Sequence, residues 1–431
     1  MKKIIVAGAG HGGITAAFNL AKNGYDVTVV EAKQKDELGY DWHDCICKRI
    51  FKDSGFEEPA ESEIMPFLDM SYFNPAKDVR IDIGKSKSTS IGYIDRRFLY
   101  DTVILQAERA GVKFVYGSKI IRALTGGGAV IGIEAIVDGK KVQYKGDLVI
   151  DAAGVDSPVR GSLPKEFGIL NRIAEEDIFC TYRAYFENTA GDAVKENNDV
   201  YFFHCGKPGM DWFITESGFT DVLVGGFGSL TQADVDRSLA DFRKIYSHMG
   251  DKIIRGGSFA RIPLRKALAK IVCNGYAAVG DSASMTESLS GSGISWSFDA
   301  GKMIADTVIA LGEKPCTVEN LWPYEYKFMK EIGFGNLQNY VLKCALSRFN
   351  AKQIDALMQA KVLTAKELAG GKYTAKDLIE KGIAFVKHPD IIAPFAAAGI
   401  KIASLGKLKA SIPEKYTEEA VRNWCAEYEA L

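Results

Sequence analysis

The run Gly8-Ala-Gly-His-Gly-Gly13 has the composition of a phosphate cradle. Glycine at 8 permits a sharp turn, glycine at 10 lets the backbone approach a pyrophosphate, and glycine at 13 lets a helix lie close on a strand. The N–H groups of such a turn, with the positive end of a helix dipole behind them, bind anions. Glu31 stands eighteen positions after Gly13, where a carboxylate accepts a ribose hydroxyl. Far along the chain Asp281 follows Gly280, and Leu289-Ser-Gly-Ser-Gly-Ile294 adds a second glycine turn. A third constellation, Gly39-Tyr-Asp-Trp-His-Asp-Cys-Ile-Cys47, gathers aromatic, titratable and thiol groups in what reads as a loop. Its Cys-x-Cys spacing is too short for a zinc pair and no second Cys/His pair accompanies it, so no metal site is expected.

These groups need elements to position them. Residues 2–7 are apolar and β-branched and read as a strand, followed by a helix to about Lys22 and a second strand over 26–30 that ends at Glu31. Residues 147–152 read as a further strand, running into Asp151-Ala-Ala-Gly-Val-Asp-Ser-Pro-Val-Arg160. Residues 274–281 read as a short buried strand ending in Gly-Asp, and 295–311 as a long helix. One carboxylate and one bare helix N-terminus thus face the cleft beside the first glycine turn, and a flavin needs both. The dinucleotide expected is therefore FAD. Arg96 and Arg97 open an amphipathic helix over 95–110; Arg96 fits the apolar spacing of Leu99, Val103 and Ala107, which leaves Arg97 to solvent.

The chain is 431 residues long, enough for two or three structural units. Its 54 Lys plus Arg against 55 Asp plus Glu leave a net charge of −1, so no bulk field draws it to nucleic acid. Eight cysteines at this length fit a reducing compartment, not a disulfide framework. The opening apolar run, 4–7, is too short for a signal peptide, and a cytoplasmic protein is expected. The nearest membrane candidate, 391–402, contains Pro394, Gly399 and Lys401; it reads as a buried helix pair in preference to a peripheral membrane contact.

The four segments around Gly8, Glu31, Gly154 and Asp281 resemble the flavoprotein superfamily of p-hydroxybenzoate-hydroxylase-like monooxygenases and geranylgeranyl reductases, and look most like the reductase branch. The resemblance covers about residues 1–345. It implies an α/β fold: a Rossmann-like, glutathione-reductase-like FAD-binding domain over 1–65, 90–165 and 270–320, an antiparallel-sheet substrate domain over 66–89 and 166–269, and a helical C-terminal region over 321–431. It implies that Gly8, Gly10 and Gly13 hold the pyrophosphate, Glu31 the adenosine ribose, and Asp281 the ribityl chain, with Arg96 and Gly154 beside the cofactor. The N–H groups of Gly291, Ser292, Gly293 and Ile294 would lie at the flavin pyrimidine edge, where the reduced ring carries negative charge. Cys45 or Cys47 would approach the flavin, His43 or Asp44 would deliver a proton, and Trp212 would shape the substrate cavity. The implied activity is reduction of a carbon–carbon double bond in a hydrophobic substrate, isoprenoid lipids among the candidates, with NAD(P)H, ferredoxin or another reduced carrier as electron donor. The alternative is an FAD-dependent monooxygenase of an aromatic or apolar molecule. Oligomeric state has no signature here.

Departures narrow the reading. Hydroxylases of this kind carry Asp before the glycine at 154, and this chain has Ala153, which favours the reductase. Met210-Asp-Trp-Phe-Ile-Thr215 keeps only the tryptophan of the reductases' cavity motif, and Ser288 replaces a common proline before the second glycine turn. Strand-like runs over 199–204, 211–214 and 221–226 suggest an antiparallel cavity roof, and Thr231 opens a helix to about Met249. Gly126-Gly-Gly128 reads as a hairpin turn. With no second GxGxxG and no Cys-x-x-Cys, a separate nicotinamide domain is not expected. Thr364 and Thr374 read as capped starts of two short C-terminal helices.

Overall fold

The computed structural model describes residues 1–83, 90–190, 194–216, 218–368 and 389–431. A six-stranded sheet lies at its centre, in the order Val272–Cys273, Tyr276–Ala278, Leu148–Asp151, Lys3–Ala7, Asp26–Val30, Lys113–Val115. All neighbours are parallel except the first pair. Ile4, Ile5, Val6 and Ala7 have no exposed surface, which is why this strand reads as an unbroken apolar run: both faces are covered. The helices His11–Lys22 and Ile294–Leu311 pack with their backbones touching. A Cβ on Gly301 would sit 2.2 Å from Gly12 O, so only glycine fits that crossing.

The hairpin expected at 126–128 joins Lys119–Gly126 to Ala129–Val137, with Gly127 and Gly128 at φ 59° and 75° supplying the left-handed turn. A seven-stranded sheet runs Met249–Pro263, Ile178–Asn188, Phe219–Phe227, Met210–Glu216, Asn197–Phe202, Met70–Phe73, Arg80–Ile83. Its strands are antiparallel except for Asn197–Phe202 with Met70–Phe73. The helix begun by Thr231 ends at Ile245, short of Met249, because Met249–Pro263 is committed to pairing with Ile178–Asn188.

Residues 43–47 correct the loop reading: His43–Cys47 is a strand of a three-stranded sheet, paired antiparallel to Ile91–Asp95 with Cys45 opposite Tyr93. Its mixed polar and apolar composition hides the pairing from any periodicity rule. The described residues of the C-terminal region are largely helical. Val318–Phe328 continues through a π turn, Met329–Gly333, into Phe334–Leu346. Residues 391–402 are one stretch of a single helix, Pro389–Ser411, which continues through Pro394, and not a helix pair. Thr364 precedes the short helix Ala365–Leu368, while the start expected at Thr374 lies outside the described residues.

Candidate active site

The first glycine turn is shaped by the strand beside it. Gly8 has φ 88°, and a Cβ there or on Gly10 would meet Ala152 O at 2.7 or 2.8 Å; one on Gly13 would meet the Ala152 Cβ at 2.6 Å. Gly10 caps the helix without a side-chain bond, leaving the N-terminal N–H groups to an outside acceptor. Glu31 Oε2 accepts from Ala9 N at 2.7 Å and Oε1 from Lys33 N at 2.8 Å, so this carboxylate pins the turn.

His11 is 5% exposed, with both ring nitrogens unpartnered, and lies 4.3 Å from the Tyr100 ring and 5.5 Å from Phe298. Arg96 Nε is likewise unpartnered. Burial works against the Arg96 charge, yet Asp44, whose Oδ2 accepts from Nη1 at 2.8 Å, holds its pKa above the ordinary value. Arg97 is exposed beside Asp41. The unpartnered His11 ring, the free Nε of Arg96, a glycine turn and an uncapped helix end beside one cavity are what a pyrophosphate requires, and the residues fit FAD.

The second turn adds the other half. Gly280–Ala283 forms a tight helical turn that presents Asp281, whose Oδ1 accepts from Thr286 Oγ1 at 2.8 Å. Burial raises its pKa, with Thr286 and Arg96 opposing. Gly291 has φ 75°, and Gly293 caps Ile294–Leu311 without a side-chain bond, so this helix too opens bare. Ser288, where a proline is common, is held by Asn336: its N and Oγ both donate to Asn336 Oδ1 at 2.9 Å.

One cavity of about 1420 Å³ joins these features. Gly8, Gly10, Glu31, Arg96, Gly154, Asp281 and residues 291–294 line it, and so do His43, Asp44, Cys45 and Trp212. Gly13 packs behind the turn. Cys47 is not among the lining residues; its N–H donates to Ser295 Oγ at 3.1 Å. Burial pushes the Cys45 thiol up to about 12, with Cys47 and Asp44 adding to it. Burial first, then Arg255, lowers the pKa of His43, whose Nδ1 lies 3.2 Å from Tyr185 Oη. The cavity continues past Phe67, Met70, Tyr72 and Phe202 to Leu342, Leu346, Ala398 and Ile402.

Sequence reasoning missed Arg183. This guanidinium, 3% exposed, donates through Nε to Asp221 Oδ1 at 2.9 Å and through Nη1 to His43 O at 2.6 Å, and lies 5.1 Å from the Trp212 ring. An arginine and an aspartate inside apolar strand runs were the available signal. Asn336 and Asn339 carried none.

The Pyridine nucleotide-disulphide oxidoreductase family model matches residues 2–179. The chain is 25% identical to digeranylgeranylglycerophospholipid reductase 2 of Methanococcoides burtonii, over 82% of this chain and 86% of that protein. It is also 25% identical to digeranylgeranylglycerophospholipid reductase of Methanothrix thermoacetophila, over 83% and 90%. The chain thus carries a pyridine nucleotide-disulphide oxidoreductase domain and is similar along most of its length to proteins named digeranylgeranylglycerophospholipid reductase. It is an FAD-dependent oxidoreductase. In fold it is similar to a geranylgeranyl bacteriochlorophyll reductase-like protein from Thermoplasma acidophilum, with TM-score 0.74 and 19% identity over 92% of this chain and 99% of that one. The myxobacterial chondrochloren halogenase shares the fold at TM-score 0.61 and 16% identity, over 89% and 97%.

Proposed function

We propose that this enzyme saturates carbon–carbon double bonds in the isoprenoid chains of a lipid. The carrying observation is the apolar extension of the flavin cavity, walled by Phe67, Met70, Tyr72, Phe202, Leu342 and Leu346, which suits a long hydrocarbon. The relatives named as reductases of digeranylgeranylglycerophospholipids support the same substrate class. When bound, FAD would supply the hydride after two-electron reduction, by hydride from NAD(P)H or by two single electrons and a solvent proton from ferredoxin or another reduced carrier.

The chain's own residues hold the cofactor and supply the proton. Gly8, Gly10 and the bare end of His11–Lys22 take the pyrophosphate, with Arg96 beside it; Glu31 takes the ribose and Asp281 the ribityl chain. An unpolarised alkene needs a proton on the carbon next to the one that receives hydride. Cys45 Sγ holds one in the cavity wall, since its thiol stays protonated at neutral pH. His43, its pKa lowered, is the weaker candidate.

Among the described residues no helix is long and apolar enough to cross a membrane. Ile400, 74% exposed on the helix whose Ala398 and Ile402 line the cavity, supports a peripheral contact through which a lipid chain enters. The deciding experiment reduces the yellow protein anaerobically and follows reoxidation by geranylgeranyl lipids under argon. Flavin reoxidation with saturation of the lipid is expected; reoxidation by air alone, with an aromatic ligand speeding reduction, would establish the monooxygenase instead.

A further inference from the structure

The helix Phe334–Leu346 carries two asparagines that the cofactor roles above do not use, Asn339 on the cavity wall and Asn336 buried behind it. Asn336 is 1% exposed and its amide is fully engaged. Besides taking both Ser288 donors on Oδ1, it donates through Nδ2 to Thr286 O at 2.9 Å and to Arg265 O at 3.2 Å. One turn later Asn339 Nδ2 donates to Glu287 Oε1 at 2.6 Å. Glu287 in turn accepts from Leu289 N at 3.1 Å and Ser290 N at 2.5 Å.

The two amides, three positions apart and so on one face of the helix, hold every residue from Thr286 to Ser290 directly or through Glu287. That segment connects the Asp281 partner Thr286 to the cavity-lining residues 291–294, where Gly291 N donates back to Glu287 O at 3.0 Å and Ser292 N to Ser290 Oγ at 3.2 Å, leaving Gly293 and Ile294 as the donors to be aimed. A donor array stabilises developing charge only if it is already aimed, because reorienting it during the reaction costs part of the gain. We propose that Asn336 and Asn339 are positioning residues that aim the 291–294 loop and thereby set how strongly the protein favours reduced over oxidised flavin. The helix carrying them lines the substrate end of the cavity through Leu342 and Leu346.

The test uses the full FAD-loaded chain without substrate and measures the flavin midpoint potential by anaerobic dye equilibration, with the FAD dissociation constant of the apoprotein as a second readout. Asn339→Ala is expected to reduce the preference for reduced flavin about tenfold, about 30 mV more negative for a two-electron couple. Asn339→Asp keeps the shape but sets a carboxylate against Glu287, and is expected to shift the potential further than Ala. Gln338→Ala, on the exposed side of the same helix, should leave it unchanged. A space-filling role predicts the reverse order, with Asp milder than Ala. That order, or wild-type potentials in both Asn339 variants, overturns the proposal. Asn339 is half-buried and carries the test even where Asn336 variants fail to fold.

Discussion

Arg183 and Asp221 face each other from adjacent strands of the seven-stranded sheet, Nε 2.9 Å from Oδ1, with side chains only 4% and 2% exposed. Through Nη1 the same arginine holds His43 O, so this pair fastens the roof of the cavity to the strand that carries Cys45. Removing one partner of a buried pair costs about 3–5 kcal/mol, an upper bound here because Asp44 Oδ1 also lies 3.5 Å from Arg183 Nη1. Asp221→Asn should lose stability on that scale in urea unfolding, whereas Arg97→Ala, an exposed partner of Asp41, should lose no more than about 1 kcal/mol.

Glu31 is expected to act on cofactor affinity in two ways, because it both faces the cavity and accepts from Ala9 N. A hydrogen bond to a charged acceptor contributes about 1.5–3 kcal/mol, and about 1.4 kcal/mol is a factor of ten in affinity. Glu31→Ala should therefore weaken FAD binding by at least about tenfold, read from fluorescence titration of the apoprotein. Unchanged affinity would remove Glu31 from the site.

Two buried groups give the fold opposite pH limbs. His11 titrates well below the ordinary 6.5, through burial first and Arg96 second. As pH falls below that ordinary value, the unfolded chain binds a proton that the native ring refuses, and stability drops. Glu325, buried with only Oε2 bonded, to Ile271 N and Val272 N, is raised to about 8 by burial. Its native carboxyl keeps a proton that the unfolded chain releases, so stability is lost as pH rises through about 8. Urea unfolding of the apoprotein from about pH 5 to about pH 9 should show both limbs. His11→Phe should shrink the acid limb, to which His43 and His248 also contribute, and Glu325→Gln the alkaline one, which Glu216 shares.

The βαβ start was legible because Ile4, Ile5, Val6 and Ala7, buried on both faces, must be apolar and Gly8, Gly10 and Gly13 must lack side chains: sterics at Ala152 dictate residue type directly. The strand His43–Cys47 was not legible, because its edge-like mixture of polar and thiol groups answers to cavity contacts and not to a core face. Met249–Pro263 stayed hidden for a related reason: Ile253, Ile254 and Phe259 are 45%, 44% and 45% exposed on an outer strand. Long-range polar partnerships such as Asn336 with Ser288 leave no spacing to read, since 48 positions separate them.

Cys45 and Cys47 stand on one strand two positions apart, and the cavity separates their roles. Cys45 lines it opposite Tyr93 in the pairing, while Cys47 packs against the main core with its N–H given to Ser295. Loss of a positioned acid costs about 10²–10⁴-fold in rate. Cys45→Ala should lower the rate at which lipid reoxidises the reduced flavin on that scale without changing the flavin spectrum, and Cys47→Ala should keep it within a few fold. With the thiol pushed up to about 12, the wild-type rate should show no fall from loss of the Cys45 proton between about pH 7 and about pH 9. Stopped-flow reoxidation under argon reads all three outcomes. An equal loss in both variants would assign the cysteines to packing and pass the proton to water.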